Sequence, residues 1–512
     1  MKADKLLQSR AVFTGLEENL MDGCIAIKGN RIIAVEPTDG EEYIDSHTQV
    51  FHLGDRLICP GFTDVHCFFT GYLLTISGME LKECRSPEEV VLALKKHCGG
   101  LKEGALILAR EVSPAFIQLT QEYLDEAFAS SPVILIHSGN EGCFMNTAAV
   151  KAFEFTPESF FPESCWRLLG HILKETSSSV PAFKKYLNFM NSKGITSIKE
   201  MGFDDFFGFT EELKRLENEG ELTARVSFMS QPVSSPMDLE FGRKMRREFT
   251  GSFVRFSGYN QMTDGSISQT EGEMKEPYLS ENTCCTKTID WKKLEQDTLA
   301  ADKESFRFSL HAQGDRAIEK VIQIFSKCQK REDGTLKNRH AITDLECSDP
   351  LDLEEMGRLG IIAEIYPQIM SIANGKDKLA MIREKIGMDR GRNYWNRRKM
   401  ADSHVIISCG TDLPLLFDDI PESIYHAVGA RFPEGGEPFL PENALRLNEL
   451  LRAWSYGGQY NLGLEDCLGT LEAGKLADIT VFDRNLFETP MEEIRDSSVC
   501  LTMVDGKIVY QA

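Results

Sequence analysis

The feature that most constrains the fold is an alternation, through the middle of the chain, of short apolar runs with segments of helical periodicity. The clearest apolar runs are residues 105–109, 133–137, 195–199, 307–311, 361–365 and 405–409. Such alternation is typical of β-strand–α-helix units that build a parallel sheet. Several runs end in a polar or ionisable residue, and in a parallel barrel the carboxyl ends of the strands form the active-site face. The pattern therefore predicts a TIM-like (β/α)8 barrel.

Both ends of the chain have a different, β-rich character. Near the start, the runs 24–28 and 31–35 flank Gly29-Asn30, which is a hairpin signal. Near the end, residues 501–510 contain a second hairpin pattern around an Asp-Gly pair. Two β-rich ends around an α/β middle predict that the ends pair with each other in one small β-sandwich domain.

The length of the chain fits this division. A chain of 512 residues is too long for one ordinary domain, and it fits a barrel of roughly 250 to 400 residues with a smaller neighbour. We predict a composite β-sandwich domain from residues 1–56 and 465–512. The barrel domain is predicted over 57–464, with an insertion near 75–165 because this stretch is longer than one β/α unit requires.

Charge and cysteine content exclude several classes of protein. With 57 basic and 79 acidic residues, the formal net charge is −22, which disfavours binding to nucleic acid or to anionic membranes. The 14 cysteines show no paired CxxC spacing, and no uncharged apolar run reaches the roughly 18 residues of a membrane span. We expect a cytoplasmic protein that acts on a small molecule; a homo-oligomer remains open.

Three strand-like segments contain residues that can bind metals or move protons. PGFTDVH ends at His66, SLHAQGD contains His311, and CGTDLP contains Asp412. Neutral imidazole is a common metal ligand, and a carboxylate beside a metal can also accept a proton from water. Each residue alone has a structural explanation as well, a buried histidine or a turn aspartate. Their shared place at strand ends favours a single site.

Together these motifs resemble the amidohydrolase superfamily, and most closely its family three. The similarity spans nearly the whole chain and includes the hairpin at 27–32, PGFTDVH, the segments 194–197 and 263–266, HAQGDRA, 410–412 and LGTLEAGKLAD at 468–478. The resemblance implies a TIM-like barrel beside a β-domain. It also implies hydrolysis of amide or related C–N bonds with one or two divalent metals, often zinc.

The chain departs from the family pattern where a second metal would bind. The family's His-x-His reads His66-Cys67-Phe68, and Asn260 stands where members usually carry a lysine that can be carbamylated to bridge two metals. The resemblance therefore argues against a bridged two-metal site. We predict instead that Phe68 and Asn260 contact the substrate.

Four other positions leave alternatives open. Asp344 stands where the family has a histidine, although His340 could take that role if the alignment shifts by one turn. Lys199 ends a strand and could replace the missing lysine, or it could be a salt-bridged or surface lysine. In segment 139–142 the family's Asp-Gly-His-Ser pattern is lost, which leaves the role of Glu141 open.

The family chemistry, transferred to this chain, implies one divalent ion bound by His66, His311 and Asp412, with Asp344 as a fourth ligand. Zinc is the expected metal, and manganese or iron remain alternatives because two ligands are carboxylates. Asp412 is expected to accept the proton of the attacking water.

Two metal-free alternatives follow from the same departures. The barrel could be a non-hydrolytic binding or regulatory protein derived from an amidohydrolase. It could also be an enzyme that uses His66, His311 and Asp412 for acid–base chemistry without a metal.

Overall fold

The structure is a computed structural model that describes residues 1–99, 102, 104–139, 142–160, 165–204, 207–232 and 236–512. Glu141 lies outside the described residues. The strands, in chain order, are β1 (Lys5–Val12), β2 (Met21–Lys28), β3 (Arg31–Glu36), β4 (Gln49–His52), β5 (Ile58–Pro60), β6 (Phe62–Cys67), β7 (Met79–Glu80), β8 (Ile107–Val112), β9 (Val133–His137), β10 (Cys143–Met145), β11 (Ile195–Glu200), β12 (Arg225–Ser230), β13 (Val254–Gln261), β14 (Phe308–Ala312), β15 (Ala341–Asp344), β16 (Ile362–Ile365), β17 (Ile407–Cys409), β18 (Ile479–Phe482), β19 (Val499–Val504) and β20 (Lys507–Gln511).

The α-helices are α1 (Phe69–Ile76), α2 (Pro87–Cys98), α3 (Gln121–Ala127), α4 (Thr147–Phe153), α5 (Trp166–Lys174), α6 (Thr176–Ser192), α7 (Phe209–Asn218), α8 (Leu239–Glu248), α9 (Trp291–Lys303), α10 (Asp315–Phe325), α11 (Pro350–Leu359), α12 (Gly375–Lys385), α13 (Met388–Gly391), α14 (Arg397–Asp402), α15 (Ile420–Ala427), α16 (Leu447–Arg452) and α17 (Gly458–Leu462), with a π-helical turn at Ala453–Gly457. Short 3-10 turns occur at Glu41–Tyr43, Pro157–Ser159, Ile369–Ile372, Pro441–Asn443 and Ile494–Asp496. Within the described ranges, no helix is both long enough and apolar enough to cross a membrane.

Strands from both ends of the chain form one sheet, in the order β20-β19-β18-β5-β1-β2-β3, with β4 also paired to β1. The β2–β3 hairpin turns at Gly29, whose φ of 60° is open to glycine without strain, and the β19–β20 hairpin turns at Gly506 with φ of 75°. Leu7, Ile58 and Val481 are buried together in its core although they are far apart in sequence. The prediction that both chain ends build one β-domain is confirmed.

The barrel consists of eight parallel strands in the order β6-β11-β12-β13-β14-β15-β16-β17. The last strand, β17, meets the first, β6: just after β17, the Asp412 backbone N donates a hydrogen bond to His66 O at 2.8 Å. Cys67 and Leu413 form a parallel bridge beside it. The predicted (β/α)8 architecture is confirmed, and it places the carboxyl ends of all eight strands on one face.

A second compact unit is formed by residues 68–183 and the described residues 207–212. It contains the sheet β10-β9-β8-β7, in which β8 is parallel to both β7 and β9. The predicted runs 105–109 and 133–137 are therefore strands of this sheet and not of the barrel, because a short apolar run does not reveal which sheet it joins. The unit is longer than the insertion expected near 75–165, and the exact domain boundaries remain predictions.

Candidate active site

The residues predicted to bind metal lie at the carboxyl ends of barrel strands. His66 is the next-to-last residue of β6, His311 lies near the end of β14, Asp344 ends β15, and Asp412 follows β17. Each strand is short, so the backbone register of the barrel fixes where these side chains emerge. The structure arranges them as two histidine–carboxylate pairs.

The first pair joins His66 to Asp412. His66 Nε2 lies 3.6 Å from Asp412 Oδ1, and the side chains retain 6% and 26% of their exposure. Burial lowers the pKa of His66, which favours the neutral ring that a metal requires. Asp412 has φ of 51°, the left-handed region, at the turn that follows β17. This turn directs a carboxylate towards the buried imidazole.

The aspartate of the PGFTDVH motif holds this turn in place. Asp64 Oδ2 accepts a hydrogen bond from Thr411 Oγ1 at 2.6 Å, and Oδ1 accepts from the backbone N of Thr411 at 3.2 Å and of His66 at 3.1 Å. Asp64 is fully buried. The motif therefore does more than present a histidine, because its aspartate connects the first barrel strand to the residue before Asp412.

The second pair joins His311 to Asp344. His311 Nε2 lies 3.3 Å from Asp344 Oδ2, and Nδ1 lies 3.7 Å from Asp264 Oδ1. Burial opposes the charged ring, but the hydrogen bond and charge of Asp344 and the charge of Asp264 outweigh it and raise the pKa of His311. Gln313 Nε2 donates to Asp344 Oδ2 at 2.6 Å, which fixes the carboxylate from the other side.

Asp264, from the segment TDGS, supports the second pair. Its carboxylate accepts backbone hydrogen bonds from Gln313 at 3.0 Å and from Gly314 and Glu273 at 2.9 Å. Thr263 Oγ1 donates to the backbone oxygen of His311 at 2.6 Å. The TDGS segment therefore positions the HAQGD turn.

Glu364, in β16, is a buried carboxylate that sequence reasoning missed. Oε2 lies 3.8 Å from His66 Nδ1 and accepts a hydrogen bond from Thr343 Oγ1 at 2.8 Å. Oε1 is contacted by Lys199 Nζ, Asn461 Nδ2 at 2.9 Å, Ser309 Oγ at 3.1 Å and Arg307 Nη2 at 3.2 Å. Burial alone would raise its pKa, but Lys199, His66 and Arg307 hold the pKa of Glu364 well below its usual range. An acidic residue inside the apolar run IIAEI is the signal that could have identified it.

Lys199, at the end of β11, is the ion-paired lysine among the alternatives considered. It is completely buried, pairs with Glu364 and donates to Asn461 Oδ1 at 3.2 Å. Burial lowers the pKa of Lys199 to about 7, while the charge of Glu364 opposes that shift. The described contacts of its amine are with Glu364 and Asn461, and not with either histidine–carboxylate pair.

Tyr366 is a second residue that sequence reasoning missed. It follows β16, its side chain is buried, and its ring meets that of His66 edge-on with centroids 5.5 Å apart. Burial, and then the charges of Asp412, Asp344, Glu364 and Asp64 in that order, raise the pKa of Tyr366 well above its usual range. The phenol therefore lies within the field of both pairs and keeps its proton.

The two predicted substrate contacts have different surroundings. Asn260, in β13, is buried and its Nδ2 donates to Gln231 Oε1 at 3.0 Å, while its Oδ1 has no hydrogen-bond partner among the described residues. Phe68 precedes α1 and begins the second compact unit. Contact of either residue with substrate remains a prediction.

His340, the alternative to Asp344, is held by hydrogen bonds that give it a structural role. Its Nδ1 accepts a hydrogen bond from Phe308 N at 3.0 Å, and its Nε2 lies 2.9 Å from Asp302 Oδ1. With Cys328, these residues form a buried group whose possible ligand atoms lie within 4.8 Å of one another. Because Nδ1 accepts a backbone N–H, Nε2 of the neutral ring must carry the proton and offers no lone pair. This arrangement does not suit a metal.

The two pairs suit a divalent ion in chemistry and in spacing. Metal–ligand bonds of about 2.0–2.2 Å place two tetrahedral ligand atoms roughly 3.4 Å apart, close to the 3.6 Å and 3.3 Å within the pairs. Among the described residues, however, His66, Asp412, His311 and Asp344 do not form one group with all ligand atoms within 4.8 Å. The residues therefore fit an ion at either pair.

Comparison with known proteins identifies the family. The model of the Amidohydrolase family matches residues 49–510. Protein LONG AFTER FAR-RED 3 of Arabidopsis thaliana is 21% identical over 99% of this chain and 92% of its own length. N-substituted formamide deformylase of Arthrobacter pascens is 23% identical over 95% of this chain and 94% of its own.

The fold comparison agrees. An uncharacterized metal-dependent hydrolase from Pyrococcus horikoshii OT3 superposes with a TM-score of 0.74 at 18% identity, covering 95% of this chain and 99% of that structure. The resemblance inferred from the sequence motifs is confirmed, and the chain belongs to the amidohydrolase family.

Proposed function

We propose that this protein hydrolyses a C–N bond, other than a peptide bond, in a small-molecule amide with the help of one divalent metal ion. The observation that carries the proposal is the pair of His66 Nε2 and Asp412 Oδ1 at 3.6 Å, on the active-site face of the barrel. His66 is almost fully buried, whereas the Asp412 side chain keeps 26% of its exposure. The pair thus joins a buried ligand to a carboxylate that water and substrate can reach.

The residues of the chain have defined parts in this reaction. His66 with Asp412, or His311 with Asp344, would hold the ion, which when bound supplies Lewis-acid activation of water and of the amide carbonyl. Asp412 accepts a proton from the attacking water as the water oxygen bonds to the carbonyl carbon. Asp412 then returns the proton to nitrogen as the C–N bond breaks. Amide and water become a carboxylic acid and an amine.

A relative suggests the substrate class, whereas the ligand chemistry suggests the metal. The Arthrobacter relative is named as a deformylase of N-substituted formamides, so we propose small N-substituted amides as the substrate class. Imidazole with carboxylate is a common donor set for zinc, and manganese or iron are the alternatives. The loss of His-x-His at Phe68 and of lysine at Asn260 supports one ion per chain rather than two.

Elemental analysis combined with turnover tests this proposal. The full chain, as purified, is analysed for zinc, manganese and iron and assayed with N-benzylformamide, N-butylformamide and N-benzylacetamide by the release of amine. We expect at most one equivalent of metal, hydrolysis of at least one amide, loss of activity on chelation and recovery when the metal is returned. Two equivalents of metal, or metal-loaded protein inactive on all three amides, would contradict the proposal.

A metal-free acid–base enzyme is the second candidate. Its support is that each histidine has a carboxylate partner, at 3.6 Å for His66 and 3.3 Å for His311, as a histidine that exchanges protons requires. Full turnover after complete removal of metal would favour this candidate over the metal-dependent one.

A further inference from the structure

The hydroxyl of Tyr366, at the candidate active site, is a hydrogen-bond donor with no partner among the described residues. Tyr366 is buried, with 5% of the residue exposed. No hydrogen bond within the described part of the chain involves its Oη. Its ring lies edge-on to His66, and the charges of Asp412 and Asp344 both act on the phenol. An unpaired donor in this position is free to bind a ligand.

Several donors around the two pairs already have hydrogen-bond partners. Hydrolysis of an amide places negative charge on the carbonyl oxygen, and this charge requires a hydrogen-bond donor or a cation. Lys199 and Arg307 bind Glu364, and Thr411 N and Oγ1 bind Asp64. Asp412 N binds His66 O, while Gln313 N binds Asp264 and Gln313 Nε2 binds Asp344. The Tyr366 hydroxyl differs from these donors because it has no hydrogen-bond partner among the described residues.

Hydrogen bonds anchor the backbone of Tyr366. Its carbonyl oxygen accepts hydrogen bonds from Arg397 Nη2 at 3.1 Å and from Ile369 N at 3.2 Å. Arg397 is itself buried at the start of α14. A donor that is fixed before the reaction loses little energy to reorganisation when charge develops. An anchored backbone at Tyr366 favours such a fixed donor.

We propose that Tyr366 is a catalytic residue whose hydroxyl donates a hydrogen bond to the amide oxygen as that oxygen becomes negatively charged. The assignment rests on the proposed amide hydrolysis. Water adds to the carbonyl carbon, the electron pair of the C=O bond moves to oxygen, and Tyr366 binds that oxygen without giving up its proton. When the C–N bond breaks, the pair returns to form the new carbonyl. Tyr366 ends the cycle unchanged.

The test replaces only the hydroxyl. Tyr366→Phe keeps the ring that contacts His66, and Tyr394→Phe is the matched control because Tyr394 is also buried, with no partner for its hydroxyl among the described residues. Methylphosphonate, a tetrahedral oxyanion, is the probe, and its affinity for the metal-loaded proteins is measured by calorimetry. We expect Tyr366→Phe to bind it at least ~10-fold more weakly, with unchanged metal content. Turnover should fall roughly 100- to 1,000-fold, mainly in kcat.

The outcomes separate this assignment from the proposed function. Equal methylphosphonate affinity in wild type and Tyr366→Phe would overturn the assignment, as would no binding by wild type or a loss of metal from the variant. Equal loss of affinity in Tyr394→Phe would also overturn it. If methylphosphonate affinity falls as expected but no amide is hydrolysed by wild type, the proposed function fails while the oxyanion-binding role of Tyr366 stands.

Discussion

Among single residues, Asp412 gives the most direct test of the chemistry. Asp412→Asn keeps the size of the side chain and an oxygen that faces His66, but an amide cannot accept the proton of water. We expect turnover to fall roughly 100- to 10,000-fold, with metal content and thermal stability preserved. Asp418→Asn, in the same loop and bonded to Ser371, is the control. Full activity of Asp412→Asn would show that Asp412 is only a turn residue.

Lys199 makes stability depend on pH. Burial lowers its pKa from 10.5 to about 7 in the folded protein, so between these values the unfolded chain carries more protons at this site. The free energy of unfolding must then rise with pH. Lys199→Gln lacks this titrating amine, and we expect wild type to gain about 1.4 kcal/mol per pH unit over the variant between roughly pH 7 and 9. Urea unfolding measures this difference, and a pH-independent value would contradict it.

At the scale of elements, a buried side-chain hydrogen bond supports the closure of β17 onto β6. Thr411→Val keeps the shape of the residue but removes the donor to Asp64 at 2.6 Å. We expect a loss of about 1.5–3 kcal/mol in the free energy of unfolding, because a buried carboxylate loses a partner, together with reduced kcat as Asp412 shifts. Thr298→Val is the control: Thr298 is buried and its hydroxyl has no partner within the described residues, so this change should be nearly neutral. Equal losses in both variants would contradict the role of Thr411.

The sequence predicts the strands and helices better than it predicts which side chains meet at the active-site face. Strand ends at His66, His311 and Asp412 were visible because each apolar run stops at a polar residue. Glu364 was hidden because its strand, IIAEI, is identified by its apolar residues, and Tyr366 because it lies just beyond that strand. Their importance comes from contacts with residues far away in sequence, which only the barrel register brings together. The same reasoning explains why the runs 105–109 and 133–137 were expected in the barrel but lie in the other sheet: their local pattern does not specify which sheet they join.

At the scale of the whole molecule, one buried ion pair connects the barrel to the β-domain. Arg225, at the start of β12, makes two hydrogen bonds to Asp478, at 2.9 and 3.0 Å, and both side chains are 2% exposed. Asp478 is the last residue of LGTLEAGKLAD, so the pair gives that motif a physical role. We expect Arg225→Met to cost about 3–5 kcal/mol, because a buried carboxylate is left uncompensated.

Thermal unfolding and urea titration measure this loss. The control is Arg10→Met, which removes the exposed pair with Asp55, where the side chains are 65% and 61% exposed. Exposed pairs of this kind contribute little to stability, so Arg10→Met should leave the midpoint nearly unchanged. A similar midpoint for both variants would show that the Arg225–Asp478 pair does not stabilise the protein.

The pairing of strands from opposite ends of the chain also bears on how a cell makes this protein. Strand β5 pairs with β18, and the end of β6 meets the residues after β17, so both sheets begin early in translation and are completed late. At about 5–20 residues per second, the ribosome needs roughly 20 to 80 s to synthesise the chain between β5 and β18. During that interval the early strands expose unpaired edges, which are prone to aggregation. Productive synthesis therefore depends on protecting the nascent amino-terminal strands until their partners emerge.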